Sequence, residues 1–105
     1  MAEVPVASLA ELTPGTMRLV EHGKLTIGVY NCGGELRAIE DRCSHDDGPL
    51  CEGAWDTEMC TVICPRHGSR FDLATGRPLS LPAYLPVSVF EVRVVDGVVV
   101  VDVGD

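Results

Sequence analysis

Apolar and polar residues alternate with a period of two toward both ends of the chain. Met17-Arg18-Leu19-Val20 and Leu25-Thr26-Ile27-Gly28-Val29-Tyr30 flank His22-Gly23, the pattern of two strands joined by a tight turn. Gly33-Gly34 then separates the second run from Glu35-Leu36-Arg37-Ala38-Ile39, which predicts a second hairpin. Residues 87–95 alternate again, Asp96-Gly97 supplies a turn, and Val98 to Val103 returns. Asp-Gly between valine-rich runs is a strong hairpin signal, because both turn positions tolerate positive φ. The one helix signal is brief: Ser8 with Glu11 forms a capping-box pattern, and Pro14-Gly15 ends the segment after about one turn. The longest apolar run, Val98 to Val101, falls far short of the roughly 18 residues of a membrane helix.

The middle of the chain, about residues 41–86, has little periodicity. It holds four of the five cysteines, two of the three histidines and five of the seven prolines. A loop-rich segment between hairpin-rich ends is how a functional site is grafted onto a β scaffold. The expected architecture is all-β, an antiparallel sandwich or small barrel with an inserted loop-rich subdomain, as a single domain over residues 1–105.

At 105 residues, 46% of them hydrophobic and 23% charged, the composition is that of a globular domain. Sixteen acids against eight bases give a net charge of -8, which argues against nucleic acid or anionic membrane as partner. No basic residue precedes Arg18, so the start lacks the charged region of a secretory signal. A soluble, cytoplasmic, monomeric protein is expected. Five cysteines are many for such a chain, and an odd number in a reducing compartment points to metal rather than disulfides.

Two clusters supply candidate ligands, Cys43-Ser44-His45 and Cys64-Pro65-Arg66-His67, with eighteen residues between His45 and Cys64. Thiolate with imidazole suits an iron–sulfur centre or zinc, and not magnesium or calcium. Zinc is the main alternative, as a structural staple, although zinc fingers place both histidines last. A four-cysteine cluster of Cys43, Cys51, Cys60 and Cys64 lacks the plant-type spacing and leaves both histidines unexplained. Cys32, Cys51 and Cys60 are expected to be packing residues or free thiols, and pairing of Cys51 with Cys60 is disfavoured by the compartment. Trp55 is expected to pack beneath the insert. His22 is expected at the surface, and Arg66, Arg70 and Asp46-Asp47 form a charged rim that suits partner contacts or plain solvation.

C-x-H followed by C-x-x-H resembles the Rieske [2Fe–2S] signature, in which two histidines replace two cysteines on one iron. The surrounding sequence extends the resemblance. His67-Gly68-Ser69-Arg70-Phe71-Asp72 is similar to the family's run after the second pair. Thr75-Gly76-Arg77-Pro78 with Leu81-Pro82-Ala83 resembles its proline loop, and Gly48-Pro49-Leu50 with Glu52-Gly53 its segment after the first pair. The match spans roughly residues 35–103. It implies one [2Fe–2S] cluster per chain, with Cys43 and Cys64 on the inner iron and His45 and His67 on the outer, solvent-facing iron.

The positions of the extra cysteines of high-potential members correspond to Gly48 and Arg66, so that disulfide is not expected. Ser69 is a candidate hydrogen-bond donor to a cluster sulfide, whereas Phe71 stands where those members carry a tyrosine. The expected potential lies in the lower half of the range of about -150 to +300 mV, flat at acid pH and falling in alkali as the imidazoles titrate.

No nucleotide fingerprint or second metal motif is visible, so the chain alone is expected to carry electrons and not to be an enzyme. The resemblance implies a ferredoxin that receives electrons from a flavin-dependent reductase and delivers them to an oxygenase or another redox acceptor. A Rieske-like small subunit of a larger enzyme, such as nitrite reductase, is the alternative in another class.

Overall fold

The computed structural model describes residues 2–43, 48–66, 68–81, 83 and 85–104, and among these every regular element is a β-strand. Six strands form the scaffold: β1 (Ala2–Ser8), β2 (Met17–His22), β3 (Leu25–Cys32), β4 (Glu35–Glu40), β8 (Val89–Val95) and β9 (Val98–Gly104). They lie in the order β1-β9-β8-β4-β3-β2, antiparallel throughout. The edge strands β1 and β2 approach each other, so the sheet curls into a nearly closed barrel. A smaller sheet, in the order β5-β6-β7, comprises β5 (Trp55–Asp56), β6 (Thr61–Ile63) and β7 (Arg70–Asp72).

The three expected hairpins form. At the last one, Asp96 and Gly97 have φ of 50° and 77°, the left-handed pair that a two-residue turn between twisted strands requires. The helix does not form. The capping-box bonds are present, with Ser8 Oγ donating to Glu11 Oε1 at 3.1 Å and Glu11 N–H donating to Ser8 Oγ at 3.3 Å. They close only a turn, because the residues before them pair as strand β1 with β9. Pro5 fits there because β1 is an edge strand, paired on one side and irregular between Pro5 and Ala7.

Period-two alternation on β3 and β4 divides the molecule into two cores. Ile27, Val29 and Ala38 point into the barrel with Leu12, Val99 and Val101. Tyr30, Cys32 and Ile39 point out of it, and the insert covers them with Cys43, Leu50, Cys51, Val62, Cys64, Phe71 and Leu73. Both faces of β3 are therefore buried from Ile27 onward. Gly28 lies opposite Ile39 on the outer face, and a Cβ there would run into the Cys51 side chain. The insert can seat this closely only on a residue without a side chain. Trp55 packs edge-on against Tyr30, with ring centroids 4.9 Å apart at 73°.

Cys51 sits in this second core. Burial pushes its thiol up to about 12 from a usual value near 9; the Tyr30 hydroxyl works against the shift and the Asp41 carboxylate adds to it. Folding thus holds the proton more tightly than the unfolded chain does. The associated stability is complete below about pH 9 and is lost as pH rises through about 12. We expect Cys51 to resist iodoacetamide in the native protein at pH 8.5 and to react fully in urea. Rapid native labelling would contradict this packing.

The structure corrects the expectation for two of the remaining cysteines. Cys32 and Cys60 are joined in a disulfide, with Cα atoms 5.5 Å apart, and are not the unpaired residues expected, whereas the disfavoured Cys51–Cys60 pair does not form. Cys51 itself is free and buried, as expected.

Candidate metal centre

Three loops meet at one end of the small sheet. The first leaves β4 and carries Cys43, whose N–H donates to the Gly48 carbonyl at 2.7 Å. Asp41 anchors the far side of this loop: its Oδ1 accepts the N–H groups of Leu50 at 2.8 Å and Cys51 at 2.6 Å. Satisfying two backbone donors with one carboxylate fixes the loop's exit where no strand partner is available. The second loop connects β6 to β7 and begins at Cys64. Its ends are tied by Cys64 N–H to the Ser69 carbonyl at 2.8 Å and Gly68 N–H to the Cys64 carbonyl at 2.9 Å. Gly68 supplies the positive φ, 74°, that this reversal needs.

The third loop follows β7 and folds back on it. Pro78 bridges to Phe71, and Leu79 N–H donates to the Arg70 carbonyl at 2.6 Å. Arg70 N–H donates to Ser80 Oγ at 2.9 Å, and Ala83 N–H donates to Ser69 Oγ at 3.0 Å. Ser69 is fully buried. Its oxygen is taken by Ala83, so its one hydroxyl proton is left to point elsewhere.

Gly53 draws the first two loops together. Its N–H donates to the Leu50 carbonyl at 3.1 Å, and the Ile63 N–H donates to the Ala54 carbonyl at 2.9 Å. A Cβ on Gly53 would collide with the Ile63 carbonyl oxygen, one residue before Cys64. The Glu52-Gly53 motif thus has a physical reason, a backbone-to-backbone approach that no side chain permits.

Cys43 and Cys64 are buried, carry no disulfide and belong to the same packed cluster. Two such cysteines brought into one core by two tight loops fit the sulfur half of the expected ligand set. His45 and His67, with Asp46 and Asp47, lie outside the described residues. The four-cysteine alternative fails. All of its members are described, Cys60 is committed to Cys32, and among the described residues no three Cys, His, Asp or Glu gather as a metal site.

Comparison with known proteins gives the same answer. The Rieske [2Fe–2S] domain family matches residues 2–91. Ferredoxin CarAc of Metapseudomonas resinovorans is 39% identical over 97 residues, covering 91% of this chain and 89% of that one. The ferredoxin component of biphenyl 2,3-dioxygenase from Rhodococcus jostii is 38% identical over 102 residues, covering 97% and 94%. A chain in the complex of reduced oxygenase and oxidised ferredoxin of carbazole 1,9a-dioxygenase superposes with a TM-score of 0.86 at 38% identity, covering 94% of this chain and 91% of that one. With the fold, the two loops and their thiols in agreement, the chain belongs to the Rieske [2Fe–2S] domain family.

Proposed function

We propose that this chain is the ferredoxin component of a ring-hydroxylating oxygenase system. It is a one-electron carrier that takes electrons from a flavin-dependent reductase in the cytoplasm and passes them to the terminal oxygenase. Cys43, His45, Cys64 and His67 hold its [2Fe–2S] group, within one domain whose insert spans about residues 41–86. The observation that carries the assignment is the pair of buried cysteines outside any disulfide, Cys43 and Cys64, on the two ligand loops. Once bound, the [2Fe–2S] group supplies reversible one-electron chemistry at a potential raised by its histidines. The protein's own residues packed with the two cysteines, Leu50, Phe71 and Leu73 among them, would keep water from that group.

The relatives are named as a ferredoxin and a ferredoxin component, which favours a separate carrier over a subunit of a larger enzyme. Anaerobic titration of the holoprotein should consume one electron per cluster. The reduced protein should then be reoxidised by a Rieske-type terminal oxygenase. Failure to take up an electron, or turnover of an aromatic substrate by this chain alone, contradicts the proposal.

Ser69 tunes the site in this reading. With its oxygen accepting from Ala83, its proton is available to a cluster sulfide, and such a bond strengthens when the group gains negative charge. Ser69→Ala is expected to remove about 1–2 kcal/mol of preference for the reduced form, roughly 40–90 mV for a one-electron couple. Redox titration followed by visible circular dichroism reads the shift downward; an unchanged potential would remove Ser69 from this role.

A further inference from the structure

We propose that Cys32–Cys60 is a second redox site, a disulfide opened by a dithiol reductant, which clasps the metal-binding insert to the barrel. Its placement makes it a clasp. Cys32 is the last residue of β3, opposite Glu35, on the six-stranded sheet. Cys60 directly precedes β6 in the small sheet and stands four residues before Cys64. The bond spans 28 residues of sequence, and the enclosed segment carries the whole first ligand loop. Besides this bond, the two sheets pack through side chains of a shared core, Trp55 against Tyr30 among them.

Two features at Cys60 make the bond exchangeable. Cys60 adopts φ of 55°, a left-handed conformation that L-residues other than Asn and Asp seldom take. The disulfide and the bond from Leu73 N–H to the Cys60 carbonyl, 3.0 Å, hold it there, and opening the disulfide removes one of the two restraints. Cys60 is also only partly buried, whereas Cys32 is 5% exposed. The attack is assigned to Cys60 Sγ, on the more exposed residue of the two, with Cys32 as the leaving group. Strained and accessible disulfides are the labile ones.

The chemistry balances as thiol–disulfide exchange. One thiolate of the dithiol attacks Cys60 Sγ, forming a mixed disulfide as the Cys32–Cys60 bond breaks, and Cys32 takes up a proton. The second thiol of the reductant then attacks the mixed disulfide and releases Cys60. Two electrons and two protons pass from the dithiol to the pair, and the reductant leaves as its own disulfide. No electron passes to or from the metal site.

The test uses the native holoprotein, purified anaerobically without reductant. It is labelled with N-ethylmaleimide before and after incubation with dithiothreitol, and the labelled positions are read by mass spectrometry. We expect no label on Cys32 or Cys60 before reduction, and label on Cys60 afterwards without denaturant, with the core residue Cys32 labelled only once urea is added. We also expect bleaching under a chelator to become at least threefold faster after reduction, and to slow again on reoxidation. The labelling readout is independent of which residues bind metal, so its failure is distinct from failure of the functional assignment. Label on the pair before reduction, or none after it, overturns the proposal. So does label spreading to Cys51, which would mark unfolding, or a bleaching rate that reduction leaves unchanged.

Discussion

Replacing Gly53 with alanine is expected to destabilise the protein by about 3 kcal/mol or more and to strip it of its metal centre. The cost is steric. The new methyl group would fall on the Ile63 carbonyl oxygen, which is backbone and cannot rotate away as a flexible side chain would. Overpacking of an ordinary core costs roughly 1–3 kcal/mol, and a backbone-to-backbone contact lies at the upper end because both chains are pinned. Ile63 donates to Ala54 and pairs with Arg70 in the small sheet; Gly53 donates to Leu50 in the first loop. Relief therefore requires separating the two ligand loops, so stability and metal content should fall together. Urea unfolding followed by circular dichroism, with iron analysis of the purified variant, reads both. A wild-type midpoint with full iron content would show that Gly53 does not set the loop spacing.

Cys64→Ser and Cys43→Ser are each expected to yield protein with almost no bound iron or sulfide and a lower melting temperature. Each removes a buried thiol at the base of a ligand loop. Because the assembled site exists only in the folded chain, the free energy of metal binding is also folding free energy. Cys51→Ser is the comparison, since Cys51 is likewise buried and outside any disulfide but packs against Gly28 and not at the base of a ligand loop. It should retain its iron while losing some core packing. Loss of iron in Cys51→Ser together with retention in Cys64→Ser would contradict the ligand set.

These effects rest on features of unequal legibility in the sequence. The three hairpins could be read directly, because alternation of two and turn residues such as Asp96-Gly97 act locally. Strand β1 could not. Its apolar residues Val4 and Val6 straddle Pro5, and its partner β9 lies at the other end of the chain. The Ser8–Glu11 pattern formed the hydrogen bonds it specified, but local bonds worth a fraction of the pairing with β9 did not extend it into a helix.

The site divides in the same way. Cys43, His45, Cys64 and His67 stood out through residue type and spacing, which is chemistry written into the chain. Gly53 belonged to a recognisable motif, yet its reason, the approach to Ile63, exists only after folding. Asp41 carries no signal in the sequence, because a carboxylate accepting two backbone N–H groups nine and ten residues away leaves no local pattern. The Cys32–Cys60 bond has no signature in the sequence, because connectivity cannot be deduced from cysteine count and the compartment argument points the other way.

The most direct test of a two-cysteine, two-histidine [2Fe–2S] centre is low-temperature EPR of the dithionite-reduced holoprotein, with pulsed measurement of nitrogen couplings. The predicted result is a rhombic signal of low average g value with two distinct imidazole nitrogens, both couplings lost when His45 and His67 are replaced. A colourless, EPR-silent protein carrying one zinc would contradict the account and leave a structural module in its place.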